Sequence, residues 1–256
     1  MKLGVETFGS GDALVMLHGW GMNSVVWHDF ARHLGRSYRV TLIDLPGHGL
    51  SPYDGQQSID AWANACLEVA PDRAAWIGWS LGSMVTLQAV LNAPERVRGA
   101  VLIAGMPKFV KSEEWPHAMA LRTLNQFIEL MGDDMTRALE RFLALQMLGS
   151  DLAVEVLRGL KLKLQERPDP NPQALHAGLE LLKQCDLRQR LVEITCPMSW
   201  IYGGRDSLAP AKASEILQQW LPNAAIHIIE KAAHTPFLSH PGETEKLVLD
   251  SLEAMA

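Results

Sequence analysis

Long apolar runs are missing from this 256-residue sequence. No stretch approaches the roughly 20 residues needed to cross a bilayer. The opening residues, MKLGVETFGSGDALVML, lack the basic head, apolar core and small-residue cleavage site of a secretory leader. Cysteine is scarce. Cys66, Cys185 and Cys196 lie far apart and in no CxxC spacing, which argues against a disulfide framework or a thiolate zinc site and predicts a reducing, cytoplasmic setting. Positive charge is not in excess. The formal net charge of −6 gives no basis for a nucleic-acid or membrane partner. Repeats and low-complexity tracts are absent. What remains is the composition of a soluble globular protein, 48% hydrophobic and 20% charged, long enough for one large α/β domain or two small ones.

Short apolar runs recur along the chain. Residues 13–17, 39–45, 74–79, 99–105, 198–203 and 225–230 read as strands, most of them apolar throughout, as expected when both faces are covered. Helix-like stretches at about 24–34, 58–70, 81–93, 209–220 and 241–254 separate them. The alternation predicts a mostly parallel central sheet flanked by helices.

Positions 106–196 interrupt this rhythm, with no convincing strand and more residues than a structureless loop in a compact domain would hold. Helical periodicity fills the gap: Leu121, Leu124, Ile128 and Met131 share one face, and Leu139, Phe142, Leu143 and Met147 another. Asp133 or Asp134, then Ser150, are candidate N-caps. RPDPNP at 167–172 breaks the pattern before a helix at about 173–184. The expected organisation is a core of residues 1–106 and 191–256 with a helical cap, 107–190, inserted over the sheet.

The stretch AAWIGWSLGSMV carries the chemistry. Gly78-Trp79-Ser80-Leu81-Gly82 is a G-x-S-x-G string set where a predicted strand becomes a predicted helix. A serine on so tight a turn stands clear of the sheet, and its neighbours two positions away must be small because strand and helix approach closely there. The helix start also aims N–H groups and a positive dipole end at the site. The string alone also fits a serine helix cap after a glycine turn; the flanking elements favour a nucleophile.

A serine hydroxyl needs a base, and the base an orienting acid. Asp206 and His234 each follow a predicted strand, in the chain order Ser, Asp, His that this arrangement requires. The other acids and histidines fit less well. Asp186 ends the insertion, His227 lies within a strand, His240 precedes Pro241, and His28 and His33 belong to an amphipathic helix. Acyl transfer also needs donors for a developing oxyanion. The backbone N–H groups of Leu81 and of Trp20, in the loop His18-Gly19-Trp20-Gly21, are the candidates. His18 itself reads as a structural residue bonding loop backbone. DLPGHGLS (44–51) reads as a loop beside the pocket, without chemistry of its own. The expected reaction uses neither cofactor nor metal.

Taken together, HGWG, DLPGHG, GWSLG, GGRD and KAAHTPF resemble the serine α/β-hydrolases over nearly the whole chain. Within that family, GWSLG, ERFLALQ (140–146), GLELLKQCDLRQRL (178–191) and AAHTPFLSHP (232–241) are most similar to esterases of biotin synthesis. Those enzymes demethylate a pimeloyl chain held on acyl carrier protein. The resemblance implies an acyl channel lined by Phe142, Leu143, Ala144, Leu145 and Gln146, with Trp20, Ser80, Leu81 and His234 also touching substrate. Gln146 follows apolar residues on its helical face, so its amide wants a partner. The resemblance further implies that Arg137, Arg141 and Arg158 contact the acidic carrier protein. Val154 stands where the family has a fourth basic residue, and Lys161, one turn after Arg158, is a candidate replacement. The expected state is a monomer. A generic short-chain carboxylesterase of the same fold is the rival reading, and a hydrolase-fold small-molecule binding module a more distant one.

Overall fold

The computed structural model describes residues 2–255. Seven strands form one sheet: β1 (Val5–Phe8), β2 (Asp12–Leu17), β3 (Tyr38–Ile43), β4 (Ala74–Trp79), β5 (Val97–Ile103), β6 (Met198–Gly203) and β7 (Ala225–Ile229), in the order β1-β3-β2-β4-β5-β6-β7. All neighbours are parallel except β1, which runs antiparallel along β3 with Val5 opposite Ile43 and Phe8 opposite Val40. The six strands expected from apolar runs are present. β1 is the addition: an edge strand of four residues, VETF, alternately exposed and half-buried, with no apolar run to announce it.

The helices are α1 (His28–Leu34), α2 (Ile59–Val69), α3 (Leu81–Asn92), α4 (Leu121–Asp133), α5 (Met135–Gln146), α6 (Ala153–Leu164), α7 (Pro172–Gln184), α8 (Ser214–Trp220), α9 (Pro236–Ser239) and α10 (Pro241–Glu253). α3 is buried along almost its whole length, which suits a helix behind the middle of the sheet. Two expected helices begin as 3-10 turns, Ser24–Trp27 before α1 and Ala211–Ala213 before α8. Ser58 caps α2 through Ala61 N–H, and Asn171 caps α7 through Gln173 and Ala174 N–H.

Four helices, α4–α7, occupy the stretch between β5 and β6. Asp134 caps α5, as its position suggested, accepting from Arg137 N–H at 3.0 Å. Ser150 does not cap α6. It sits two residues before the cap position and accepts from Leu152 N–H, while Leu152 holds the cap position without a side-chain bond. Leu124, Phe127, Phe142, Leu143 and Met147 are buried, but Leu121 is exposed, so the apolar face of α4 is centred nearer Phe127 than its sequence spacing suggested.

These helices are tied to the loops at the carboxyl ends of the strands. Leu187 N–H donates to Pro107 O at 2.9 Å, closing the segment at its base. Asn171 N–H donates to Gly47 O and Arg205 donates to Gly149 O, while Lys163 and Arg167 pair with Asp29 of α1 and Glu6 of β1. The strand order reverses direction between β2 and β4: β3 lies on the far side of β2, and the later strands extend the other way from β4. Open α/β sheets take their ligands in the crevice outside such a switch point.

Candidate active site

Ser80 stands at that crevice, between the last residue of β4 and the first of α3. Its backbone has φ 55° and ψ −119°, a conformation that L-residues avoid and that costs of order 1–3 kcal/mol. The flanking glycines follow from the close approach. A Cβ on Gly78 would lie 2.5 Å from Gly82 O and from Thr86 Oγ1, and one on Gly82 would lie 2.5 Å from His18 O.

Asp206 follows β6 and His234 follows β7. The fold brings both to Ser80. His234 Nδ1–H donates to Asp206 Oδ2 at 2.7 Å, which leaves Nε2 to accept from Ser80 Oγ–H at 2.9 Å. Asp206 is itself held: its Oδ1 accepts from the N–H groups of Leu208 (2.8 Å) and Ala209 (3.0 Å). The three side chains are buried, so their mutual interactions act in a medium of low polarity.

Sequence reasoning did not find how His234 is fixed. Trp79 Nε1–H donates to His234 O at 2.8 Å, and His234 N–H donates to Gln146 O at 3.2 Å. One bond comes from the elbow and one from the end of α5, so the peptide groups on both sides of the imidazole are held. The Trp79 ring also packs against Phe237 and Trp27. Nothing in the residue string shows that an indole will reach a carbonyl 155 positions away.

The N–H groups of Trp20 and Leu81 have no hydrogen-bond partner within the protein among the described residues. Trp20 follows β2, and its ring is fixed by Nε1–H donation to Leu175 O of α7 at 2.8 Å and by an edge contact with Phe142 of α5 at 4.7 Å. His18 bonds loop backbone, as expected: Nδ1–H donates to Gly19 O, and Nε2 accepts from Leu45 N–H.

His48 and Asp44, to which no chemistry was assigned, complete the support beneath this loop. His48 Nδ1–H donates to Pro46 O at 2.9 Å and its Nε2 faces Gly21 N–H at 3.4 Å. Asp44 accepts from Ser24 N–H and Leu50 N–H. The sequence showed DLPGHG only as a loop beside the pocket, and the partners of Asp44 and His48 were not legible in it.

Both histidines are fully buried and are held neutral. Burial lowers His18, against the opposing pull of Asp44, and burial followed by repulsion from His18 brings His48 down to about 3. The sign follows directly. Below an unfolded value near 6.5, the unfolded chain binds a proton at position 48 that the folded chain does not, until about pH 3. Stability is therefore complete above pH 6.5 and falls as pH falls, by up to about 1.4 kcal/mol per pH unit for each such group. Urea unfolding at pH 7 and pH 5 checks this. The expected loss between the two is smaller in His48→Gln than in the parent; equal losses contradict it.

Phe142, Leu143 and Gln146 are buried, Leu145 is half-buried and Ala144 is exposed, so the five residues of the expected channel lie on two sides of α5. Gln146 is 1% exposed, and neither its Oε1 nor its Nε2 has a hydrogen-bond partner. Arg137, Arg141 and Arg158 are exposed and form no ion pair among the described residues. Val154 is 83% exposed, and Lys161, at the surface, is paired with Glu140 at 2.8 Å. Of the rival acids and histidines, Asp186 pairs with Lys108 and Arg188, His227 lies in β7, His240 precedes α10, and His28 and His33 lie on α1.

A buried serine bonded to an imidazole that is bonded to a carboxylate is the equipment of a serine hydrolase. The chain belongs to the alpha/beta hydrolase fold family, whose profile matches residues 12–241. It is 40% identical over 250 residues to the pimeloyl-[acyl-carrier protein] methyl ester esterase of Aeromonas hydrophila, covering 97% of this chain and 98% of that one. It is 41% identical over 248 residues to the protein of that name from Photobacterium profundum, covering 97% of each. Among solved structures, an esterase from Exiguobacterium antarcticum superposes with a TM-score of 0.89 at 22% identity, over 98% of this chain and 95% of that one, a likeness of fold.

Proposed function

We propose that this chain is a serine esterase that removes the methyl group from the ester of a pimeloyl chain carried on acyl carrier protein, releasing methanol, in biotin synthesis. The observation that carries the substrate assignment is the identity of about 40% to the methyl ester esterases along nearly the entire length of both chains. The hydrogen-bonded line Ser80–His234–Asp206 supports the reaction type.

In this reading Ser80 Oγ attacks the ester carbonyl while its proton passes to His234 Nε2, and Asp206 stabilises the imidazolium. The N–H groups of Trp20 and Leu81 receive the developing oxyanion. Collapse of the tetrahedral species expels methoxide, which takes the proton from His234 and leaves as methanol. Water then gives a proton to His234 and attacks the acyl-serine. Its collapse returns the proton to Ser80 and frees the pimeloyl carboxylate on its carrier. Residues 107–190 act as a lid over the core formed by 1–106 and 191–256. Phe142, Leu143, Ala144, Leu145 and Gln146 line the path of the acyl chain, and Arg137, Arg141 and Arg158 face the acidic carrier. Their charges act on the encounter and are screened by salt.

Gln146 gives this reading a local test. A buried amide without a partner costs about 1–3 kcal/mol, which a polar group of the bound ester would offset. Gln146→Leu is therefore expected to raise the melting temperature and at the same time raise KM for the ester. A variant that loses stability and keeps its KM would remove Gln146 from the substrate path. For the function as a whole, expression of this chain is expected to restore growth without biotin to a bacterium lacking its own pimeloyl methyl ester esterase, and Ser80→Ala is expected not to. Failure of the parent chain to rescue, with soluble protein present, would refute the substrate assignment.

A further inference from the structure

The corner between α5 and α6, residues 146–151, rests on the two loops that carry Asp206 and His234. On the His234 loop, Gln146 O accepts from His234 N–H at 3.2 Å, and Thr235 Oγ1–H donates to Met147 Sδ at 3.2 Å. On the other loop, Arg205 immediately precedes Asp206. Its Nη1 donates to Gly149 O at 2.9 Å and to Asp151 Oδ1 at 3.0 Å. The corner is shaped for this approach: Gly149 has φ 93°, and a Cβ there would lie 3.3 Å from Arg205 Cβ. The two loops are also tied to each other, because Arg205 N–H donates to Ala232 O at 2.9 Å, two residues before His234. These bonds close a ring. It runs from Arg205 through the corner to His234 and returns through Ala232. The ring is unequal around its course. Gln146, Met147, His234 and Thr235 are buried, whereas Arg205 and Asp151 are exposed.

We propose that Arg205 is a positioning residue for the catalytic base, acting through this corner. The inference rests on the Ser80–His234–Asp206 reading above. Arg205 draws Gly149 and Asp151 onto the core, and the corner carries Gln146 O to His234 N–H. The peptide before the imidazole then stays where Nε2 lies 2.9 Å from Ser80 Oγ. A guanidinium suits the task, because Nη1 carries two N–H groups and so serves a carbonyl and a carboxylate together. Around the other end of α6, Lys163 and Arg167 pair with Asp29 and Glu6. The helix is thus anchored at both ends, and Arg205 supplies the anchor beside the triad. An ion pair at the surface adds little to global stability, so its loss frees the corner and leaves the fold. The cost falls on catalysis instead. Displacing a reacting group by about 1 Å lowers a rate by up to about 10²-fold.

The test is turnover of p-nitrophenyl acetate, an ester that needs no carrier protein, read beside amide hydrogen exchange of the same proteins. Arg205→Met is expected to lower kcat by about five-fold or more, with KM within about two-fold of the parent's. It is also expected to speed exchange of His234 N–H by about ten-fold or more while the amides of β4 keep their rates. Arg205→Lys, which keeps a charged donor, is expected to recover kcat to within about two-fold of the parent's. Asp151→Ala is expected to cause a smaller fall, and to add nothing in the Arg205→Met background, where the pair no longer exists. An unchanged kcat in Arg205→Met overturns the proposal. So does a loss confined to KM, faster exchange of the β4 amides together with His234, or a pair of substitutions whose effects multiply. Failure of the triad reading looks different: Ser80→Ala then turns over the ester at the parent's rate.

Discussion

Ser80→Ala is expected to lower kcat for any ester by a factor on the order of 10⁶ while leaving the fold in place. The loss is large because no other hydroxyl can stand in. The nearest one in sequence, Ser83 Oγ, is committed to Ser80 O at 2.5 Å. The fold survives because alanine carries no more bulk than serine at φ 55°, and the clearances that shape the turn belong to Gly78 and Gly82. A serine-directed sulfonyl fluoride is expected to add its mass to the peptide that contains Ser80 and to leave the alanine variant unlabelled. Turnover close to the parent's in that variant, or labelling confined to another peptide, would dismiss Ser80 as nucleophile.

Asp206→Asn is expected to cost about 10⁴-fold in kcat with little change in KM. The geometry dictates how the asparagine sits. The position of Oδ1 is surrounded by two donors, Leu208 N–H and Ala209 N–H, so the amide oxygen of an asparagine must occupy it. Its NH₂ group then faces His234 Nδ1, which can only accept. The imidazole is forced into the tautomer with its proton on Nε2, pointing at Ser80 Oγ, and cannot take the serine's proton. A variant of near-normal kcat would show that the His234–Asp206 bond is structural. A variant that instead loses its fold, seen by circular dichroism, would assign Asp206 to loop stability through Leu208 and Ala209.

The parts of this site that a residue string reveals are those set by local chemistry. Ser80 between two glycines, at a change from an apolar run to a helix, identifies the elbow because crowding at a tight turn allows little else. Asp206 and His234 are legible because each follows an apolar run that becomes a strand. β1 was missed because an edge strand of four residues needs no apolar run; its pairing with β3 supplies the structure. The supports of the site were missed for another reason. The bonds from Trp79 to His234, from Trp20 to Leu175 and from Gly21 to His48 join distant positions, and each requires the packed fold before it has a partner. Periodicity placed α4 and α5 but misjudged Leu121, because which face is buried depends on the neighbouring helices and loops. The pairing of Lys161 with Glu140 on the preceding helix was likewise not legible from spacing.

Turnover of a methyl pimeloyl chain on acyl carrier protein by the purified chain tests the central claim most directly. The product is followed by mass spectrometry of the intact carrier and by assay of methanol. The account predicts one methanol for each carrier that gains a free carboxylate, with the thioester to the carrier intact and no product from the Ser80→Ala protein. Rapid hydrolysis of p-nitrophenyl butyrate by a preparation that leaves the methyl pimeloyl carrier unchanged would contradict it.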